Sequence, residues 1–158
     1  MDYTGFKLIF STPVHFGNGS LENSDNKLYA DTIFSALCHE AVKSECIEEL
    51  VSYVENEKIK LSDAFPFIGD SYFIPKPMIN IESEKNIDDK KKAKKLEFIN
   101  VNLIDEYLDG SMDIKTESEI VSNLGKSDII TRASILTNED TKPYSVGTYL
   151  FSECAGLY

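Results

Sequence analysis

A chain of 158 residues, 42% hydrophobic and 27% charged, fits one soluble globular domain with its own core, or a domain with an appendage. No apolar run reaches bilayer-spanning length, and the acidic, alternating start MDYTGFKLIF lacks the basic opening and apolar centre of a signal peptide. A cytoplasmic location is therefore expected, and the net charge of −11 argues against nucleic-acid binding over the whole surface.

Tyr3 to Ser11 alternates, with Phe6, Leu8 and Phe10 on one face and Lys7 on the other, which predicts a half-buried strand. Pro13 and the Gly17/Gly19 pair end it. The loop that follows, His15-Phe16-Gly17-Asn18-Gly19-Ser20, admits three readings. It is a plain turn if its glycines only supply positive φ. It is an RNA contact if backbone N–H groups hold phosphate while His15 or Phe16 stacks on a base. It is catalytic only if His15 has a partner in reach. The other histidine, His39, falls in a predicted helix, and no nucleophile motif accompanies His15.

Asp31 stands ahead of Ile33, Phe34, Leu37, Ala41 and Val42, an apolar stripe at helical spacing, and is expected to cap that helix. A second helix is predicted over Ile47 to Glu55. Cys38, Cys46 and Cys154 are odd in number and lack C-x-x-C spacing, so buried or half-buried free thiols are expected, with no metal and no cofactor.

Leu61 to Ile68 and Ser71 to Ile74 are β-rich runs around Gly69-Asp70, a hairpin signal. Pro66, Pro75 and Pro77 lack backbone donors, which predicts edge strands. Lys76, stiffened between two prolines, suits a phosphate or subunit contact, or merely ends an edge strand. Phe65, Phe67, Tyr72 and Phe73 are assigned mostly to the core, with a base-stacking platform as the alternative.

Lys85 to Lys95 (KNIDDKKKAKK) carries a local +4, leaving −15 on the rest of the chain. Its lysines Lys90, Lys91, Lys92, Lys94 and Lys95 could form a solvated helix face, a nucleic-acid arm or a docking strip for an acidic partner. An arm anchored by Leu96, Phe98 and Ile99 within a basic insertion at 85–100 is expected. Leu103 to Gly110 predicts a short helix stopped by glycine. Residues 111–127 are polar and are expected to form a mobile insertion. Asp128 to Thr137 and Val146 to Phe151 predict two strands joined by a turn around Asn138 to Lys142, with Lys126 and Arg132 as weaker candidates for RNA contact and Arg132 facing outward. Ala155 to Tyr158 reads as a strand stopped after two side chains, which suggests a truncated chain. The order strand, helix, hairpin, later strands is compatible with an α+β, ferredoxin-like βαββαβ domain with insertions, spanning 1–158.

Several pieces together carry a resemblance: TPVHFGNGSL, YADTIFSAL, LSDAFPFI, YFIPKP, KKAKKLEFI, LIDEYLDG, KPYSVGTYLF and AGLY, in that order. No piece is specific alone, but their succession over nearly the whole chain resembles the fourth subunit of the Csm complex, the type III-A CRISPR effector, in the repeat-associated (RAMP) superfamily. The resemblance implies a ferredoxin-like domain that grips the 5′ repeat-derived tag of the CRISPR RNA. It also implies docking of the large polymerase/cyclase subunit, beside the backbone RAMP subunit that cuts target RNA with its own aspartate. It implies no RNA cutting by this chain itself. Family members continue past AGLY through a glycine-rich loop and a second domain, so an N-terminal part is expected here. Under the resemblance, RNA contact becomes the favoured reading of His15, Phe16, Gly17, Asn18 and Gly19. Asp31 matches the backbone subunit's aspartate in residue type only and stays structural. A protein-interaction fragment without RNA binding and a RAMP-type endoribonuclease using His15 remain the alternatives.

Overall fold

The computed structural model describes residues 4–17, 19–79, 91, 93–134 and 142–158. In chain order the elements are β1 (Phe16–Gly17), β2 (Ser24–Asp25), α1 (Ala30–Lys43), α2 (Ile47–Glu55), β3 (Pro66–Ile68) and β4 (Ser71–Pro75). There follow β5 (Phe98–Asn100), a 3-10 turn (Val101–Leu103), α3 (Ile104–Leu108), α4 (Ile114–Ser122), β6 (Gly125–Ser134), β7 (Lys142–Phe151) and β8 (Ala155–Leu157). The chain, expected as one domain, parts into two compact units: Met1–Asp25 with Phe65–Tyr158, and Asn26–Ala64. The α+β class is as expected.

In the larger unit the hairpin forms where Gly69 supplies φ +59, pairing Phe67 with Tyr72 and Ile68 with Ser71. β5 joins β4 and β8 joins β3, so the sheet runs β5-β4-β3-β8 with every neighbour antiparallel. The prolines do not mark edges. β3 and β4 are both interior strands, and Pro66 and Pro75 are tolerated because they are a strand's first and last residue. β8 is likewise more than a strand start: β3 flanks it on one side, Leu8 on the other, and all three of its residues are buried. The expected N-terminal strand narrows to that one bridge, in which Leu8 and Leu157 exchange N–H···O bonds of 2.6 and 3.1 Å. Phe6, assigned to the inner face, is exposed, because the pairing does not extend to it.

Phe67 and Phe73 are core, Phe65 is half-buried, and Tyr72 is exposed. Gly156 sits opposite Phe67, and a Cβ there would meet the Phe67 ring at 2.9 Å and Leu8 O at 2.3 Å. At the β5 side, Leu96, Ile99, Tyr107 and Met112 form a core cluster capped by Ile74, Leu103, Ile104, Ile114 and Val121. α3 ends as expected, at Gly110 with φ +79.

Residues 111–127 are not an appended insertion. Met112, Glu117 and Leu124 are each no more than 2% exposed. The segment reads as polar because α4 turns only one face inward, while Asp113 caps it by accepting from the Lys115 and Thr116 N–H groups at 3.0 and 3.3 Å. β6 and β7 pair from Gly125↔Phe151 to Ser134↔Lys142, a ten-residue ribbon longer than the strand predicted over Val146 to Phe151 and starting three residues before the predicted Asp128. The turn predicted around Asn138 lies outside the described residues, except for Lys142.

The smaller unit holds α1 and α2. Asp31 is not the N-cap residue of α1, although its Oδ1 accepts the Thr32 N–H at 2.6 Å. The helix starts a residue earlier, its N-cap Tyr29 has no side-chain bond, and the Ala30 N–H donates to Asp63 Oδ1 at 2.8 Å. The Leu28↔Ala64 bridge brings Asp63 there, so a residue distant in sequence does the capping. Asp31 lies inside the first turn, where a carboxylate still suits the helix dipole. Both helices end in Schellman geometry: Cys46 N–H to Ala41 O and Glu45 N–H to Val42 O, then Lys58 N–H to Tyr53 O and Glu57 N–H to Val54 O. The left-handed positions are Glu45 (φ +56) and Glu57 (φ +53). Of the thiols, Cys38 is half-buried as expected, whereas Cys46 and Cys154 are exposed: one lies at a helix start, the other in the turn before β8.

Candidate nucleic-acid interface

The sequence-derived candidates fall into three places. The first is the loop between Val14 and Asp25. Phe16–Gly17 pairs with Ser24–Asp25, and Ser24 Oγ accepts from the Phe16 N–H at 3.1 Å. β7 then stitches the loop down: Val14 and Tyr149 exchange backbone bonds of 2.9 and 2.8 Å, and the Gly147 N–H donates to Leu21 O at 2.8 Å. His15 is exposed, but its Nδ1 lies 2.7 Å from Gly147 O. A carbonyl only accepts, so Nδ1 carries the proton and Nε2 is left outward-bonding. Phe16 is half-buried, edge-on to Phe10 (5.6 Å), which stacks on Phe151 (4.9 Å). Gly17 and Gly19 are exposed, Gly19 at φ +97, and Asn18 lies outside the described residues.

The second place is the end of β4. The Lys76 N–H donates to Glu97 O at 2.8 Å, and its ammonium donates to the carbonyl of Ala93. Tyr107 O–H donates to Pro77 O at 3.0 Å; burial pushes this phenol's pKa up. Lys91, Lys94 and Lys95 are helical and exposed, while Lys90 and Lys92 lie outside the described residues. Spaced i, i+3, i+4, the three lysines share one face of their turn. The third place is Arg132, exposed on β6 opposite Tyr144. Thus β7 holds the His15 loop, β4 and β5 hold the lysines, and Arg132 rides on the ribbon. The residues between 13 and 25 include no lysine or arginine, so the side-chain cations of the candidate set belong to the other two places.

Three residues that sequence reasoning left aside make contacts across the larger unit. Lys7 Nζ donates to Gly69 O at 3.3 Å and lies 4.6 and 4.9 Å from the Phe67 and Tyr72 ring centroids. Tyr158 meets Tyr72 edge-on at 4.8 Å and donates its O–H to Phe73 O. Glu117 is buried, which raises its carboxyl pKa, while the Asn100 N–H bonded to its Oε1 at 2.8 Å pulls the other way. Nothing local in the sequence marks these partners; only the outward phase of Lys7 was legible. Among the described residues no group of three or more His, Cys, Asp or Glu side chains comes together to hold a metal, and no helix is long and apolar enough to cross a membrane.

No family model matches the chain. Sequence relatives do. Proteins described as CRISPR system Cms protein Csm4 in two strains of Mycobacterium tuberculosis are 34% identical over 145 residues, 91% of this chain and 48% of their own length. The protein of that description from Streptococcus thermophilus is 30% identical over 167 aligned positions, covering 100% of this chain and 52% of its own. That of Methanocaldococcus jannaschii is 30% identical over 129, covering 77% and 34%. The chain spans about half the length of the first relatives it matches.

Proposed function

The chain belongs with the Csm4 proteins, homologous to them over most of its own length, and from that premise we propose that it is a non-catalytic RNA-binding part of a type III-A CRISPR Csm complex. Its fold is then of the ferredoxin-like RAMP type, and its work is positional. Lysines of the run at 90–95 hold phosphates of the guide's 5′ repeat tag, the His15 loop adds backbone contacts, and a protein face docks the large polymerase/cyclase subunit beside the backbone RAMP subunit. The complex works in the cytoplasm. The observation that carries this reading is the match of 91–100% of the chain to proteins named as Csm subunits. The three exposed lysines on one helical face supply a local positive charge on a chain of net −11.

Filter binding of tag-bearing RNA to the assembled complex tests it, with Lys90, Lys91, Lys92, Lys94 and Lys95 changed to glutamate. Weaker binding with a shallower salt dependence is expected; unchanged affinity and slope would remove the lysines from the RNA site.

A second reading, a protein-interaction module without RNA affinity of its own, is favoured by the acidic balance and by His15 Nδ1 being bonded to Gly147 O. It calls for capture of the large subunit by a chain that gives no RNA shift at low salt. The cleavage reading has only His15 Nε2 to offer. Repeat RNA incubated without metal should stay intact, and cleavage abolished by His15→Ala would overturn the non-catalytic assignment.

A further inference from the structure

The lysine-bearing turn works against its own charge. Lys91, Lys94 and Lys95 repel one another at i, i+3 and i+4. Its closing carbonyls need donors from elsewhere. Lys76 supplies one, its ammonium on Ala93 O, where a positive charge also suits the negative end of a helix. The backbone of the same residue holds Glu97 O, immediately before β5. Lys76 is itself immobilised, because Pro75 and Pro77 fix their φ on either side and Tyr107 grips Pro77 O at 3.0 Å. Below the turn, Leu96, Phe98 and Ile99 are buried.

We propose that Lys76 is a positioning residue for nucleic-acid binding: its ammonium touches no RNA but sets the direction of Lys91, Lys94 and Lys95 before phosphates arrive. The inference rests on the RNA-binding reading of those lysines. A single-stranded phosphate chain is the ligand class, because three point charges along one helical face match its repeated charge without reading a base. Ordering the turn in advance removes part of the entropy that binding must otherwise supply. Lys76 was itself a candidate phosphate contact in the sequence, so the two roles make opposite predictions for salt.

The experiment measures tag-bearing RNA binding to the assembled complex across a salt series. Four forms are compared: wild type, Lys76→Met, Lys76→Arg, and the triple Lys91→Gln/Lys94→Gln/Lys95→Gln. Each lost phosphate contact flattens the log–log salt slope by about 0.7 for single strands. The triple variant should flatten it in that way. Lys76→Met should weaken binding about fivefold with the slope unchanged, and Lys76→Arg, which can still donate to Ala93 O, should restore most of the loss. Amide exchange without RNA should quicken at Lys94, Lys95 and Leu96 in Lys76→Met while the other sheet amides keep wild-type rates.

A slope flattened by about 0.7 in Lys76→Met would make Lys76 a direct phosphate ligand and overturn the positioning role. So would unchanged affinity in Lys76→Met, or a Lys76→Arg as weak as Lys76→Met. Should Lys76→Met fail to fold, Lys76→Arg decides by slope and exchange: wild-type values support the proposal, and a loss of both overturns it. If the triple variant binds like wild type, the RNA reading of the lysines fails, and the positioning role falls with it.

Discussion

His15 Nδ1 lies 2.7 Å from the carbonyl oxygen of Gly147, a residue 132 positions further along the chain. Since only an N–H can satisfy a carbonyl, the bond selects the Nδ1–H tautomer of the neutral ring and fixes its orientation. Nitrogen chemical shifts should therefore show the Nδ1-protonated form near neutral pH. His15→Ala should cost about 1 kcal/mol in denaturant unfolding, the usual worth of one part-buried hydrogen bond. A mixed tautomer population would mean the bond is not kept in solution.

Gly147 is bound at both its N–H and its carbonyl, and it lacks room for a side chain. A Cβ there would sit 2.3 Å from Glu22 O, backbone that has no free rotamer to yield. Gly147→Ala should destabilise by about 1–3 kcal/mol and loosen the His15 loop. Gly5, with nothing within 4 Å of its would-be Cβ, is the control, and Gly5→Ala should stay within about 0.5 kcal/mol of wild type. Equal effects at the two sites, by urea denaturation, would refute the close approach of Glu22.

Glu45 and Glu57 occupy left-handed caps that glycine fills at no steric cost. Glu45→Gly and Glu57→Gly should each stabilise the Asn26–Ala64 unit by about 0.5–1 kcal/mol, glycine's looser unfolded chain taking back part of the gain. Asp63→Ala should lose about 1 kcal/mol by leaving the Ala30 N–H unpaired, whereas Asp31→Ala loses less. Circular dichroism melts rank all four; a larger loss at Asp31 would restore the local capping scheme.

Glu117 makes stability depend on pH in a stated direction. Burial raises its folded-state pKa above the ordinary 4.5, more than the Asn100 N–H lowers it. Between 4.5 and the raised value the folded chain therefore binds more protons than the unfolded one, and stability falls as pH rises through that window. Below 4.5 this contribution is fully present. Glu117→Gln removes the titration and should flatten the unfolding free energy across the window. A slope unaltered by the substitution would assign the dependence to other carboxylates.

What the sequence alone determined is local. The positive φ at Gly69 and Gly110 and the apolar spacing of Ile47, Leu50, Val51 and Val54 are set by residues within a few positions of one another. The hairpin turn, α2 and the stop of α3 could therefore be read directly. The ordered motifs likewise carried the kinship with Csm4 proteins.

Only the tertiary structure decided which partner each polar group finds. Asp63 reaches the Ala30 N–H at the start of α1, Ala93 O takes the Lys76 ammonium, Gly147 O takes the His15 ring, and Glu117 goes inside a segment whose composition reads as surface. Pro66 and Pro75 sit in interior strands because the strands that flank them arrive from β5 and β8. These pairings span 17 to 132 positions. Local spacing says that a donor or acceptor must be satisfied, but chain closure over such distances says by what.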